Sequence, residues 1–320
     1  MKDLLYTNGV IAASEKYLLK DKIFKLCETD AEEVLRTLSE SGFGKGTEIS
    51  SVYEYEKLVS ADEAAIDAFI REYAPSAAEA AYLLAPRDFH NAKAAVKAHY
   101  LNLEVEKLLA PQGLIPVKDI LSAVSEGDYR ALGKHLGGAV EAAAKLFSEE
   151  NSEVSGAEIG IIFEKAEFKY LAEACAKNGL LKKLVQEKAD MTNILTALRS
   201  SEPEYAQKCF VAGGKITEKQ LLKLFGENGE SALDGTAYAE FVKKCFADKS
   251  AGLPLTSAEK LFESFEGAYL SERRYELQKN QPFLYYVFRR RAENANVRIL
   301  FVCLLAGMRE NDIKRRLRTV

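Results

Sequence analysis

The sequence predicts an all-α protein. Apolar residues recur at three- and four-residue spacing, and the long segments are rich in the strong helix formers Ala, Leu, Glu and Lys. No run combines β-branched enrichment with strict alternation over the length of a strand. At 320 residues, 48% hydrophobic and 29% charged, the chain can bury a large core, either as two domains or as one body built from repeats.

Taken in order, the opening YTNGVIAASEKYLL runs into a helix-breaking series at Gly42, Gly44 and Gly46. Residues 60–109 then read as helix, as do 158–176, 256–278 and 282–305. Pro86 and Pro282 each precede a long helical pattern and suit a first-turn position, where a missing N–H costs nothing. Gly213-Gly214 and Ala251-Gly252-Leu253-Pro254 break the chain later.

Composition removes several function classes. Lys plus Arg is 44 against 48 Asp plus Glu, so the net charge of −4 carries no signature of bulk nucleic-acid binding. Seven prolines, twenty glycines and no low-complexity tract argue against disorder or a fibre. Cys27, Cys175, Cys209, Cys245 and Cys303 are scattered, without a C-x-x-C pair, so neither a disulfide framework nor a structural zinc site is expected, and a reducing compartment fits. The start lacks a basic stretch followed by an apolar one, so no signal peptide is expected. The longest apolar run, 299–308, is about half a membrane span, so no transmembrane segment is expected and the chain reads as soluble and cytoplasmic.

The chain carries an internal triplication. Of eleven asparagines, only Asn91, Asn193 and Asn296 have an acid three positions earlier: Asp88, Asp190 and Glu293. These asparagines lie 102 and 103 residues apart. A second pattern, an aliphatic residue or Met followed five positions later by Ile or Leu, recurs at Leu18/Ile23, Ile115/Ile120, Ile216/Leu221 and Met308/Ile313. Three of these follow a break at Gly113, Gly214 or Gly307. Such a period is too long for a solenoid repeat. It predicts three copies of one small helical bundle, at 1–112, 113–212 and 213–306, with a closing helix at 307–320.

Around each asparagine, the acid at −3 and apolar residues at +1 and +4 form one helix face: Ala92/Ala95, Ile194/Ala197 and Val297/Leu300. The polar pair therefore lies on the packing side, where an unmet hydrogen bond costs about 1–3 kcal/mol. Two readings compete: hydrogen bonds that fix how neighbouring helices cross, and a catalytic dyad. Three near-equivalent dyads in one chain make no chemical sense, which favours packing.

The search for catalytic or metal chemistry finds none. His90 and His99, nine residues apart on one helix, point to opposite faces and cannot share a metal. GFGKGT at 42–47 lacks the G-x-x-x-x-G-K-[ST] spacing of a phosphate loop, and Gly213-Gly214-Lys215 is followed by Ile216 where Ser or Thr is required. Both read as turns. No cofactor is implied. One charge asymmetry stands out: 287–320 holds nine Lys or Arg against three acids, a basic end suited to acidic protein loops, anionic head groups or nucleic acid, or else a solvated helix terminus.

PRDFHNAKAAVKA, with the C-terminal QPFLYYVFRRRAENANVRILFVCLLAGM, resembles the C-subunit family of V-type and A-type ATPases, whose eukaryotic members are the d subunits. The opening residues Tyr6, Asn8, Leu18 and Leu19 are similar to that family's start, and the resemblance runs over essentially the whole chain. The family's acid-x-His-Asn-x-Lys element falls on Asp88, His90, Asn91 and Lys93; its final acid-x-x-Asn-x-Arg element falls on Glu293, Asn296 and Arg298. Where family members carry an Arg soon after the opening Asn, this chain has Gly9-Val10-Ile11. The resemblance implies a funnel of three pseudo-equivalent helical bundles in approximate three-fold arrangement. It implies a peripheral protein on the cytoplasmic face of the membrane, seated on the membrane proteolipid ring and receiving the foot of the central stalk, which the D and F proteins of the complex form. Such a protein is a non-catalytic rotor coupling in a proton- or sodium-translocating ATPase or ATP synthase.

Two rival classes share part of this pattern. A stand-alone helical adaptor or scaffold has the same helical content but binds no ring. A prenyl-transfer enzyme needs D-D-x-x-D runs, and the acidic pairs Glu32-Glu33 and Glu149-Glu150 are isolated.

Overall fold

The computed structural model describes residues 4–15, 18–19, 22–148, 155–252, 255, 266–272, 274–276 and 279–318. Among them there are helices and turns and no strand. In chain order the α-helices are α1 Leu4–Ser14, α2 Lys22–Leu26, α3 Ala31–Glu40, α4 Tyr55–Tyr73, α5 Ala77–Leu101, α6 Val117–Glu126 and α7 Gly133–Ser148. There follow α8 Gly156–Ala174, α9 Gly179–Arg199, α10 Pro203–Cys209, α11 Glu218–Leu222, α12 Ala239–Ser250, α13 Gln281–Leu305 and α14 Glu310–Arg316.

Local chemistry sets most of these boundaries. Asp30 caps α3 through the Glu33 N–H, and Ser155 with Glu158 forms a capping box that starts α8. Pro282 sits in the first turn of α13 as the sequence predicts. Gly42, Gly44 and Gly46 all take positive φ, and a Cβ on Gly44 would lie 2.7 Å from a Leu58 methyl. Three expectations need amendment. The stretch 60–109 is not one helix: Pro75 forces Ala74 into extended backbone (ψ 127°), separating α4 from α5, and α5 ends at Leu101. Pro86 lies in the interior of α5, not its first turn. The run from Ala77 had already nucleated the helix, and burial of Leu84, Ala85 and Phe89 around Pro86 offsets the lost ladder bond. Of the helix expected at 256–278, residues 266–271 are helical, whereas 256–265, 273 and 277–278 lie outside the described residues.

The chain divides into two compact units, Met1–Ser76 with Glu259–Val320, and Ala77–Ala258. In the first, α4 lies along α13, and residues from both ends of the chain share one core. Leu19, Ile23, Val34, Leu38 and Leu58 pack with Val297, Leu300, Phe301, Ile313 and Leu317. In the second, α5 packs against α6, α7 and α8. Its small residues Ala92 and Ala95 let the helices approach closely, with Phe89, Ile120, Val140, Ile159 and Phe163 filling the space between them.

A proline in a helix interior is about 3 kcal/mol worse than alanine, less the entropy it removes from the unfolded chain. Pro86→Ala should therefore raise the unfolding free energy by about 2 kcal/mol, read as a higher urea midpoint at unchanged slope. A lower midpoint would mean that the shape Pro86 imposes on α5 is needed for packing.

Candidate functional site

Each triplicated asparagine holds a later segment of chain by its backbone. Asn91 accepts from the Ala110 N–H (2.8 Å) and donates to the Ala110 carbonyl (3.2 Å). Asn193 does the same with Val211 (2.8 and 2.9 Å), and Asn296 with Arg318 (2.7 and 3.0 Å). The gripped residue lies 19, 18 and 22 positions downstream. A carboxamide presents an acceptor and a donor side by side, which neither Asp nor Leu offers. The three asparagines are 0%, 4% and 2% exposed, so each bonds from a buried position, and at Asn193 the partner Val211 is buried as well.

The acids extend the clasp. Asp88 accepts from the Leu114 N–H (2.9 Å) and the Ile115 N–H (3.1 Å). Asp190 accepts from the Ile216 N–H (2.8 Å) and, on its other oxygen, from the Tyr238 hydroxyl (3.0 Å). Glycine is needed where this chain passes: a Cβ on Gly113 or Gly214 would lie 2.2 Å from the aspartate Oδ1. Glu293, the third acid, has Arg289 of its own helix at 3.7 Å. The partners of the asparagines are thus backbone groups of the chain's own next segment, where the sequence suggested neighbouring helices.

Register follows from the clasps. A short helix ends two residues before each gripped residue: Val105–Leu108, α10 and α14. Ile313, in α14, therefore corresponds to Ala206 in α10; Ile120 and Leu221 lie in helices that follow the gripped residue. An apolar pair five residues apart cannot distinguish these registers, so the fourth match, Met308/Ile313, belongs to a different short helix from the others. Ile23, Ile120 and Leu221 are each buried.

The other residues of the resemblance fall around these clasps. His90 meets the Leu108 carbonyl at 2.9 Å, on the segment that Asn91 holds. Lys93 is half-buried, and its charge and that of Lys188 (4.0 Å) act on Glu167, whose carboxyl burial nonetheless pushes up. Burial likewise pushes Asp190 up against the N–H of Ile216 and the hydroxyl of Tyr238, and pushes the Tyr238 phenol up in turn. Arg298 lies between two carboxylates of α4: its guanidinium donates to Glu63 (2.8 Å) and to Glu56 (2.8 Å), and these bonds hold it firmly charged. Asn8 and Leu19 are buried in the first unit.

Sequence reasoning missed the Arg298 partners, the Arg290–Asp62 ion pair, Tyr238, and the reason for Gly113 and Gly214. No local pattern carries these, because the partners lie 24 to 242 residues away. The basic C-terminal run also turns partly inward. Arg289 and Arg290 donate to Tyr285 and Tyr286, whereas Arg309, Arg315 and Arg316 are exposed. Burial pushes the Cys175 thiol up to about 12 and the Cys245 thiol to about 11, so neither is a thiolate nucleophile at neutral pH. Among the described residues no three His, Cys, Asp or Glu side chains are grouped to hold a metal ion.

Residues 7–316 match the family model described as ATP synthase (C/AC39) subunit. No curated protein matches the chain. Among the described residues no helix is long and apolar enough to cross a membrane.

Asn91→Leu and Asn193→Leu should each lower the unfolding free energy by about 1–3 kcal/mol, because two backbone groups lose their partners, those of Ala110 half-buried and those of Val211 buried. Chemical denaturation beside the wild type checks this, and unchanged midpoints in both would defeat the clasp reading. Gly113→Ala and Gly214→Ala should cost at least as much, whereas Gly138→Ala, with open space around it, should be neutral or stabilising by up to ~1 kcal/mol. For Glu167 the sign follows from its raised folded pKa. Folding disfavours the ionised form, so the penalty is absent below pH 4.5 and grows as pH rises through the folded value. Glu167→Gln should therefore raise the melting temperature at pH 7, with the gain vanishing near pH 4. A gain independent of pH would contradict the assignment.

Proposed function

Because the chain belongs to the ATP synthase (C/AC39) subunit family, accessory subunits of rotary ATPase complexes, we propose that it is the coupling between the D–F central stalk and the proteolipid ring. In this role it transmits torque and makes or breaks no bond. It sits on the cytoplasmic face of the membrane as a peripheral protein, in the path of proton or sodium transport. The family match over residues 7–316 carries the reading.

The local structure suits the role. A part that passes torque must hold its shape under load, and close packing with fixed backbone crossings resists deformation. Three clasps tie each Asn-bearing helix to the segment after it, and Arg298 ties α13 to α4. The common construction of the clasps supports three related bundles, and we place these around an approximate three-fold axis as a funnel. The exposed arginines Arg309, Arg315 and Arg316 supply positive charge for an acidic partner surface.

A pull-down with purified D–F stalk at moderate salt should retain this protein. In a complex rebuilt without it, ATP hydrolysis should continue while ion pumping stops, and adding the protein back should restore pumping. Pumping that proceeds equally well without it would overturn the coupling role. Failure of D–F to retain it at any salt would favour a stand-alone helical adaptor.

A further inference from the structure

α1 is built inside out. Its eleven residues, LLYTNGVIAAS, include no charged side chain. The side turned to the core is mainly polar: Thr7 and Asn8 are 0% and 4% exposed, Ile11 is buried with them, and the Thr7 hydroxyl donates to the Tyr73 carbonyl (3.4 Å). The side turned to solvent is apolar. Leu5 and Tyr6 are 62% and 56% exposed, and Gly9, Ala12 and Ala13 are exposed as well. At about 100° per residue, positions 5, 9, 12 and 13 fall on one stripe. A surface helix ordinarily arranges the two classes the other way round.

Gly9 is a second observation. A Cβ placed on it would meet nothing within 4 Å, and its backbone is not in the left-handed region. Nothing in the chain's own fold calls for glycine there, and glycine weakens a helix interior relative to alanine. A glycine with a small residue four positions on, here Ala13, is the arrangement that lets a second helix come close, backbone to backbone. Leu5 and Tyr6, one turn earlier, supply the larger side chains to pack beside it.

Charge and size restrict what can sit on this face. A charged segment laid over it would lose water and gain no counter-charge. Eleven residues of helix are about 16 Å long. That offers a few hundred Å² against the ~800 Å² per partner of a stable complex, too little to hold two copies of this chain together by itself. The face suits one helix within an assembly that has further contacts. A ring of membrane-spanning helices has uncharged apolar helix surface to offer, whereas a stalk that dissolves on its own carries charge on its outer faces.

We propose that the outward face of α1 seats an uncharged, apolar helix of the proteolipid ring, crossing at Gly9 and Ala13 with Leu5 and Tyr6 along its flank. The assignment rests on the coupling role above, which makes the ring one of two partners.

Biolayer interferometry of the full-length protein against purified ring in nanodiscs, empty nanodiscs of the same lipid and purified D–F stalk tests this. Gly9→Leu and Ala12→Lys should each weaken ring binding at least tenfold and leave D–F binding within twofold of wild type. Gly138→Leu, at an exposed helix position in the other unit with open space around it, should change neither. Ala12→Lys keeps the test decisive if Gly9→Leu does not fold. Gly9→Ala should raise the urea midpoint of the protein alone, and a lower midpoint would show that the fold itself needs this glycine and overturn the proposal. Unchanged ring binding in both variants, loss of D–F binding instead, or equal wild-type binding to empty nanodiscs would overturn it too, and would leave the coupling role standing. Wild-type protein that does not bind the ring at all overturns the coupling role, and this proposal with it.

Discussion

A carboxamide that holds the N–H and the C=O of one distant residue is the constraint on which the rest of this structure depends. Chain leaving a long helix carries backbone polar groups that must find partners, and here the loop after each Asn-bearing helix folds back onto a buried asparagine of that helix. Asparagine supplies both partners at once, in the geometry that a neighbouring backbone would offer. Asp88 and Asp190 then take the next free N–H groups, and Gly113 and Gly214 let the chain come close enough. Each bond adds only about 0.5–1.5 kcal/mol net, but an unmet group in the same place costs more, so the clasp works mainly by excluding other paths for the chain.

Charge is used in the same inward way in the first unit. Arg298 spans Glu56 and Glu63, and Arg290 reaches Asp62, so both join α13 to α4. Such pairs add little to stability against an apolar alternative, whereas losing one partner leaves a costly buried charge. They fix one arrangement of two long helices against sliding. In the proposed coupling role, that property would matter more than a few kcal/mol of stability.

The chain belongs to a family of accessory subunits. Asp190 and Tyr238, both raised by burial, are hydrogen-bonded to each other, and Asp190 also accepts from the Ile216 N–H. Their shifts come from burial within a structural joint.

The sequence by itself determined the helical class, the extents of α8 and α13, and the positions of the three clasp asparagines. These depend on spacing and residue type within one turn or one loop, and both are visible in a single chain. Residue spacing also singled out Asn91, Asn193 and Asn296 together, and all three make the same pair of backbone contacts. It did not determine what the asparagines hold, why Pro86 survives inside a helix, or which register Ile313 belongs to. Arg298 reading Glu56 and Glu63, and Tyr238 reaching Asp190, were decided only by tertiary structure. The physical reason is the same in each case: a hydrogen bond acts over about 3 Å, and which residues come within that distance across tens or hundreds of positions is settled only when the helices pack.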